Sequence, residues 1–255
     1  MSVKVRDVVD ALEHFAPLPL QESYDNAGLQ CGLTETEVSG ALLCLDVTED
    51  VLREAIDLGC NMVVAHHPML FHGLKRVSDG SMPERCLRLA LHEDIAVYAA
   101  HTNLDNAEDG VNYMIAEKLG LVDVVSMQGG GVLGYLPVEE QPEFFLERVK
   151  ETFRCTCLMH NDIISHPIGS VAVCGGAGDF ALDEALRQET DAFLTGEMHY
   201  HRYFGLKDKI QIGVLGHYES EQYTTELLMR VLANALPTLP LYVTEVNTNP
   251  IKYLI

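Results

Sequence analysis

Short apolar runs alternate with stretches of helical period along most of this chain, and that alternation limits its fold more than any other feature. "GALLCLDV" at 40–47 is apolar enough for a buried strand. "EDVLREAIDLG" follows with helical spacing and stops at Gly59; Thr48 stands at the N-cap position, with Glu49 and Asp50 in the first turn. "CNMVVAHH" reads as the next strand and "SMPERCLRLALHED" as a helix. "IAVYAAHTNLD" is a third strand running into a polar loop, and "GVNYMIAEKLGL" a further helix ending at Gly120. Strands that alternate with helices predict a mainly parallel sheet covered on both faces. Ahead of them, Val5, Val8, Val9, Leu12 and Phe15 share one helical face, and Pro17 and Pro19 stop that helix.

The rhythm breaks between residues 125 and 170. "SMQGGGVLGYLP" reads as a glycine-rich turn and a strand, and "EEQPEFFLERVKETF" as a helix. It then resumes: strand "SVAVCGG", helix "FALDEALRQE", strands "DAFLTG" and "IQIGVLG", a long helix "ESEQYTTELLMRVLANAL" and a closing strand "LYVTEVN". The fold class is therefore α/β, in two α/β lobes, 1–125 and 126–255. The 255 residues, 47% of them hydrophobic, suffice for cores of that size.

Formal net charge is 17 − 38 = −21. Such acidity opposes nucleic acid and anionic membranes, and no Lys/Arg cluster reverses it locally. No apolar run approaches the roughly 20 residues of a membrane span. "MSVKVRDVVDALEHF" lacks the apolar core of a signal peptide and carries Asp7, Asp10 and Glu13. A soluble, cytoplasmic protein is the expectation. The seven cysteines are odd in number, form no CxxC pair and mostly lie in apolar runs, which reads as buried free thiols in a reducing compartment. "CTC" at 155–157 fits that reading least well.

Open α/β sheets bind ligands beyond the carboxyl ends of their strands. Three predicted strands end in histidine: one in His66 and His67, one in His101-Thr102-Asn103-Leu104-Asp105, one in His217 with Glu221 four residues on. Spacing of i and i+4 puts His217 and Glu221 on one side of a helix start. Pro68 fixes the backbone after the paired histidines, so both rings can turn to the same edge. Imidazoles with carboxylates and no thiolate suit a site for two cations with positions left for water and substrate; a structural zinc site would be closed by four ligands, usually with cysteine. Against this, single loop histidines are commonly only hydrogen-bonded, and eleven histidines allow coincidences.

The stretches "ESYDNAGLQCG", "LCLDVTEDVLREAIDLGCNMVVAHHPMLF", "AVYAAHTNLDNAEDGVNYMIAEKLGL", "VCGGAGD", "DAFLTGEMHYH" and "GHYESE" resemble, in order and nearly end to end, the NIF3-like family. It is also described as domain of unknown function 34, and its members carry the name GTP cyclohydrolase 1 type 2 homologue. The resemblance implies a NIF3-like fold with mixed, largely parallel sheets, in the short form of the family. It implies a dinuclear metal centre at His66, His67, Asp105, His217 and Glu221, the last two returning to a site shared with the first lobe and Glu221 bridging the ions. It further implies a toroidal homohexamer. His101 matches a position near the metals, as a catalytic proton-transfer group or a loop-ordering one. Glu197, His199 and His201 would face the same cavity. Tyr24 stands where the family commonly has tryptophan, a change of packing only. "CGGAGD" follows a strand and lacks a P-loop lysine; a tight turn or an anion cradle both fit it.

The function these features imply is a metal-dependent hydrolase of cyclohydrolase or phosphoesterase type, with two divalent ions per chain (Zn, Fe, Mn, Co or Ni) and a small-molecule substrate, GTP or another nucleotide among them. The alternative is a metal chaperone, insertase or buffer without turnover.

Overall fold

A computed structural model describes residues 2–254. They form two compact units: the residues up to Ala107 together with Thr224–Pro250, and Glu108–Tyr223 together with the residues from Ile251 onward.

The first unit is built on a five-stranded sheet in the order Gly28–Cys31, Ala96–Ala99, Met62–Ala65, Ala41–Cys44, Leu241–Val243. Its three central strands are buried along their whole length, as apolar runs covered on both faces must be. Those strands and Leu241–Val243 run parallel, and Gly28–Cys31 pairs antiparallel with Ala96–Ala99. The predicted helices are present at Val5–Phe15, Glu49–Asp57 and Met82–His92. Val5, Val8 and Leu12 are the buried face of the first. The Thr48 hydroxyl caps the second, accepting the Val51 N–H at 3.2 Å. Val51, Leu52, Ala55, Cys86, Leu87 and Ala90 close one side of the sheet's core against Val63, Ala65 and Val97.

The second unit holds a six-stranded sheet in the order Val122–Ser126, Val132–Glu140, Ile168–Cys174, Ala192–Thr195, Gln211–Val214, Met159–His160. Ile168–Cys174, Ala192–Thr195 and Gln211–Val214 are parallel to one another; the remaining pairings are antiparallel. Helices Val111–Lys118, Pro142–Thr152 and Leu182–Arg187 belong to this unit. Both sheets are mixed and covered by helices, so the α/β class read from the sequence holds. Asp191 joins two strands here: its Oδ2 accepts the N–H groups of Gly169 and Ser170 at 3.0 and 2.8 Å and the Ser170 hydroxyl at 2.8 Å.

Besides the short pieces Thr102–Asp105 and Met159–His160, two elements differ from the sequence reading. Val122–Ser126 is a strand that the pattern does not announce, because most of its residues are exposed and Asp123 interrupts it. The long helix expected over 219–236 is two helices, His217–Glu221 and Thr224–Ala235. Their junction is held by side chains: Gln222 Nε2 donates to the Phe153 carbonyl at 2.7 Å and the Tyr223 hydroxyl to that of Thr152 at 2.6 Å. The closing strand Leu241–Val243 pairs with Ala41–Cys44 as the last strand of the first sheet.

No helix of the described residues is long and apolar enough to cross a membrane. None of the seven cysteines is in a disulfide, and five are buried. Burial, with the nearby Glu219 charge, pushes the Cys155 thiol up to about 12, so it stays protonated and unreactive at neutral pH. Cys157 is exposed.

Candidate metal centre

In the first unit two parallel neighbours, Met62–Ala65 and Ala96–Ala99, end at the same sheet edge, and each delivers its histidines there. A nitrogen from each of His66, His67 and His101 lies within 4.8 Å of the other two. Ring centroids are 4.8 Å apart for His66 and His67, and His101 stands 5.4 and 5.5 Å from them. All three rings are fixed through Nδ1. His66, fully buried, meets the Ala100 carbonyl at 2.8 Å; His67 meets Asp46 Oδ1 at 2.7 Å; His101 meets Asp25 Oδ1 at 2.7 Å. A carbonyl or carboxylate oxygen can only accept, so each Nδ1 carries a proton, and the neutral form of each ring has its lone pair on Nε2. Asp105 lies in the one-turn helix Thr102–Asp105, with Oδ1 3.7 Å from His66 Nε2.

Asp25 and Asp46, which the sequence reading passes over, hold two of these rings. Burial works to raise the Asp25 carboxyl, but the His101 and Thr102 hydrogen bonds, the His101 charge and the Asn26 N–H hold it far below the usual carboxylate range. Asp46 shows the same balance. Burial raises it; the His67 hydrogen bond and charge, with the Thr248 hydroxyl, outweigh that and lower it. Both carboxylates therefore stay ionised and can orient a ring. The only sequence signal for them is position: each sits in a turn-forming stretch ("YDNAG", "LDVTED") next to a predicted strand.

The third predicted strand end belongs to the second unit. There His217 Nδ1 is 2.8 Å from Glu197 Oε1, and its Nε2 is 3.2 Å from Glu221 Oε2, the i, i+4 pair expected from spacing. Glu221 is buried, 4% exposed. Glycines make room for this short helix. A Cβ on Gly176 would lie 2.3 Å from Glu221 Oε1, and one on Gly196 would lie 2.7 Å from Ser220 Oγ and 3.0 Å from His217 Cα. The "CGGAGD" loop is thus a tight turn: the Gly175 N–H donates to Asn112 Oδ1 at 2.9 Å and the Gly176 N–H to Ser220 Oγ at 3.0 Å, so these donors are spent and no anion cradle forms from them. Glu197 serves His217. His199 is largely exposed and pairs with Asp179 at 2.6 Å; His201 lies among Tyr200 and Phe204. Tyr24 is exposed and meets Phe71 edge-on at 6.4 Å.

Fold and site define a mixed α/β protein whose parallel strands present clustered imidazoles backed by carboxylates. Residues 3–250 match the family Duf34/NIF3 (NGG1p interacting factor 3), and the chain belongs to it. A Clostridium acetobutylicum relative named GTP cyclohydrolase 1 type 2 homolog is 31% identical over 99% of this chain and 100% of its own length. A Nostoc relative of the same name is 34% identical over 90% of this chain and 91% of its own. Among solved structures, a Staphylococcus aureus hypothetical protein superposes with a TM-score of 0.92 over 100% of both chains at 25% identity. A Bacillus cereus protein related to NIF3 gives 0.89 over 100% of both chains at 21% identity, and shows the shared fold.

Proposed function

We propose that this protein is a dinuclear metal-dependent hydrolase, with two divalent ions held by His66, His67, Asp105, His217 and Glu221. One repeated observation carries the reading. In each unit an imidazole has already given its Nδ1–H to an acceptor, and its Nε2 stands near a carboxylate oxygen: His66 at 3.7 Å from Asp105, His217 at 3.2 Å from Glu221. Two acceptors facing each other favour a cation between them or a second proton on the ring. The donors are imidazole and carboxylate without thiolate, which suits Zn²⁺, Fe²⁺, Mn²⁺, Co²⁺ or Ni²⁺.

Bound divalent ions supply an acidified water and polarise a carbonyl, an imine-like carbon or a phosphoryl group. The protein's own part is orientation and proton handling. Asp46 and Glu197 hold His67 and His217 by Nδ1 and set their tautomers. His101, held by Asp25, can exchange a proton at Nε2 with a leaving group, which is its proposed catalytic role. The relatives' name favours GTP or a related nucleotide as substrate, and the chain's charge disfavours nucleic acid. A toroidal homohexamer in the cytoplasm completes the reading; light scattering of the purified protein tests the assembly.

The second reading, a metal chaperone, insertase or buffer, is favoured by the net charge of −21, which concentrates cations. Metal-loaded protein assayed on a substrate panel beginning with GTP separates the two. Product formation that chelation abolishes supports the hydrolase. A fully loaded protein that turns over nothing and yields its ions to a competing apo-protein supports the chaperone.

A further inference from the structure

The two carboxylates behind the imidazole cluster are held very differently. Asp25 takes four hydrogen bonds: the Asn26 N–H at 2.7 Å, the Thr102 N–H at 3.0 Å, the Thr102 hydroxyl at 2.5 Å and His101 Nδ1 at 2.7 Å. Its side chain is 0% exposed. Asp46 has a side chain 34% exposed, and among the described residues it takes two: His67 Nδ1 on Oδ1 at 2.7 Å and the Thr248 hydroxyl on Oδ2 at 2.6 Å. A carboxylate with one partner swings about its Cβ–Cγ bond; a second partner on the other oxygen fixes its plane. Thr248 is that second partner. It comes from the segment after the closing strand, which has no regular secondary structure and is anchored where Glu54 accepts the Thr244 hydroxyl and, at 2.8 Å, the Glu245 N–H.

We propose that Thr248 is a positioning residue for His67, acting through Asp46, and that the C-terminal segment thereby makes the His67 arm the readily exchanged one of the cluster. The comparison within the cluster points the same way. His66, fully buried, is fixed by a main-chain carbonyl, and His101 by a carboxylate that main-chain donors hold. His67 alone of the three depends on a carboxylate whose orientation rests on one distant hydroxyl, and 22% of its side chain is exposed. The proposal rests on His67 being a metal ligand.

Two measurements test it separately from that premise. Histidine ¹⁵N NMR of the metal-free protein reads the tautomer. Wild type should show His67 protonated at Nδ1; Thr248→Val should mix the tautomers, Thr248→Ser should restore the wild-type signal, and Asp46→Asn should disturb it most. His101 should not respond to any of the three. Zinc release into a chelator in excess then reads exchange: Thr248→Val should release its faster ion on the order of tenfold sooner than wild type, and Thr248→Ser at the wild-type rate. Unchanged His67 signals and unchanged release in Thr248→Val would overturn the proposal. A wild type that takes up no zinc, yet whose His67 signal responds to Thr248→Val, would overturn the metal reading and the exchange claim with it, and leave the hydrogen-bond relay standing.

Discussion

Gly176 offers a sharp test of how the turn after Ile168–Cys174 shapes the carboxylate end of the site. Its φ is +57°, and an added Cβ would lie 2.3 Å from Glu221 Oε1 and 3.3 Å from Glu221 Cδ. Gly176→Ala therefore combines two costs. The left-handed backbone alone costs an alanine about 1–2 kcal/mol. The contact then forces a buried carboxylate away from its place beside His217 Nε2. Gly205→Ala separates them, because Gly205 also has positive φ, +77°, but a Cβ there meets nothing within 4 Å. At about 2–4 °C per kcal/mol, Gly205→Ala should lower Tm by about 2–8 °C and leave metal binding alone. Gly176→Ala should fall further and should also lose metal affinity, by about 10–100-fold, the usual effect of displacing the surroundings of a ligand. Calorimetry and zinc titration of both variants read the two effects. Equal Tm values for the two variants with wild-type zinc affinity in Gly176→Ala would refute the reasoning.

Three further outcomes follow from the geometry. Thr48→Ala removes the hydroxyl that caps Glu49–Asp57 and should cost about 1 kcal/mol in urea unfolding; no change would mean the cap is idle. At Asp191, burial acts to raise the carboxyl, but the Ser170 and Gly169 N–H groups, the Ser170 hydroxyl and His166 outweigh it, so its pKa is below the ordinary value. A lowered carboxylate stabilises the fold above its unfolded pKa of about 3.9, and that contribution is lost as pH falls through the folded value. The stability gap between wild type and Asp191→Asn should thus be constant near neutrality and close below about pH 4; a gap that widens on acidification contradicts this. Asp105→Ala or Glu221→Ala should abolish binding of at least one ion without unfolding the chain, and an unchanged metal count in both, with unchanged circular dichroism as the folding control, would sink the ligand assignment.

Much of this arrangement was legible in the sequence where a residue's role depends on its neighbours along the chain. The Thr48 cap, the Val5–Phe15 helix and the i, i+4 pairing of His217 with Glu221 are of that kind. So is the delivery of His66, His67 and His101 by consecutive βα units, since parallel strands share an edge. What could not be read depends on partners far away. Nothing local says that Leu241–Val243 joins Ala41–Cys44, or that Thr248 reaches Asp46 across 202 positions. Nothing in "ESEQYTTELL" shows a break, because Gln222 and Tyr223 are pinned by carbonyls of Phe153 and Thr152. Asp25 and Asp46 look like ordinary turn residues until the fold sets a histidine against each. The glycines of "CGGAGD" fit a tight turn better than an anion cradle, and the position of Glu221 and the spent N–H groups decide for the turn.

The central claim is that the histidine–carboxylate clusters hold catalytic metal. Elemental analysis of metal per chain, before and after extended dialysis against a mild chelator, tests it most directly. The account predicts about two divalent ions per chain that survive dialysis, as a dinuclear hydrolytic centre requires. A chain that takes up no ion under any loading condition would contradict it.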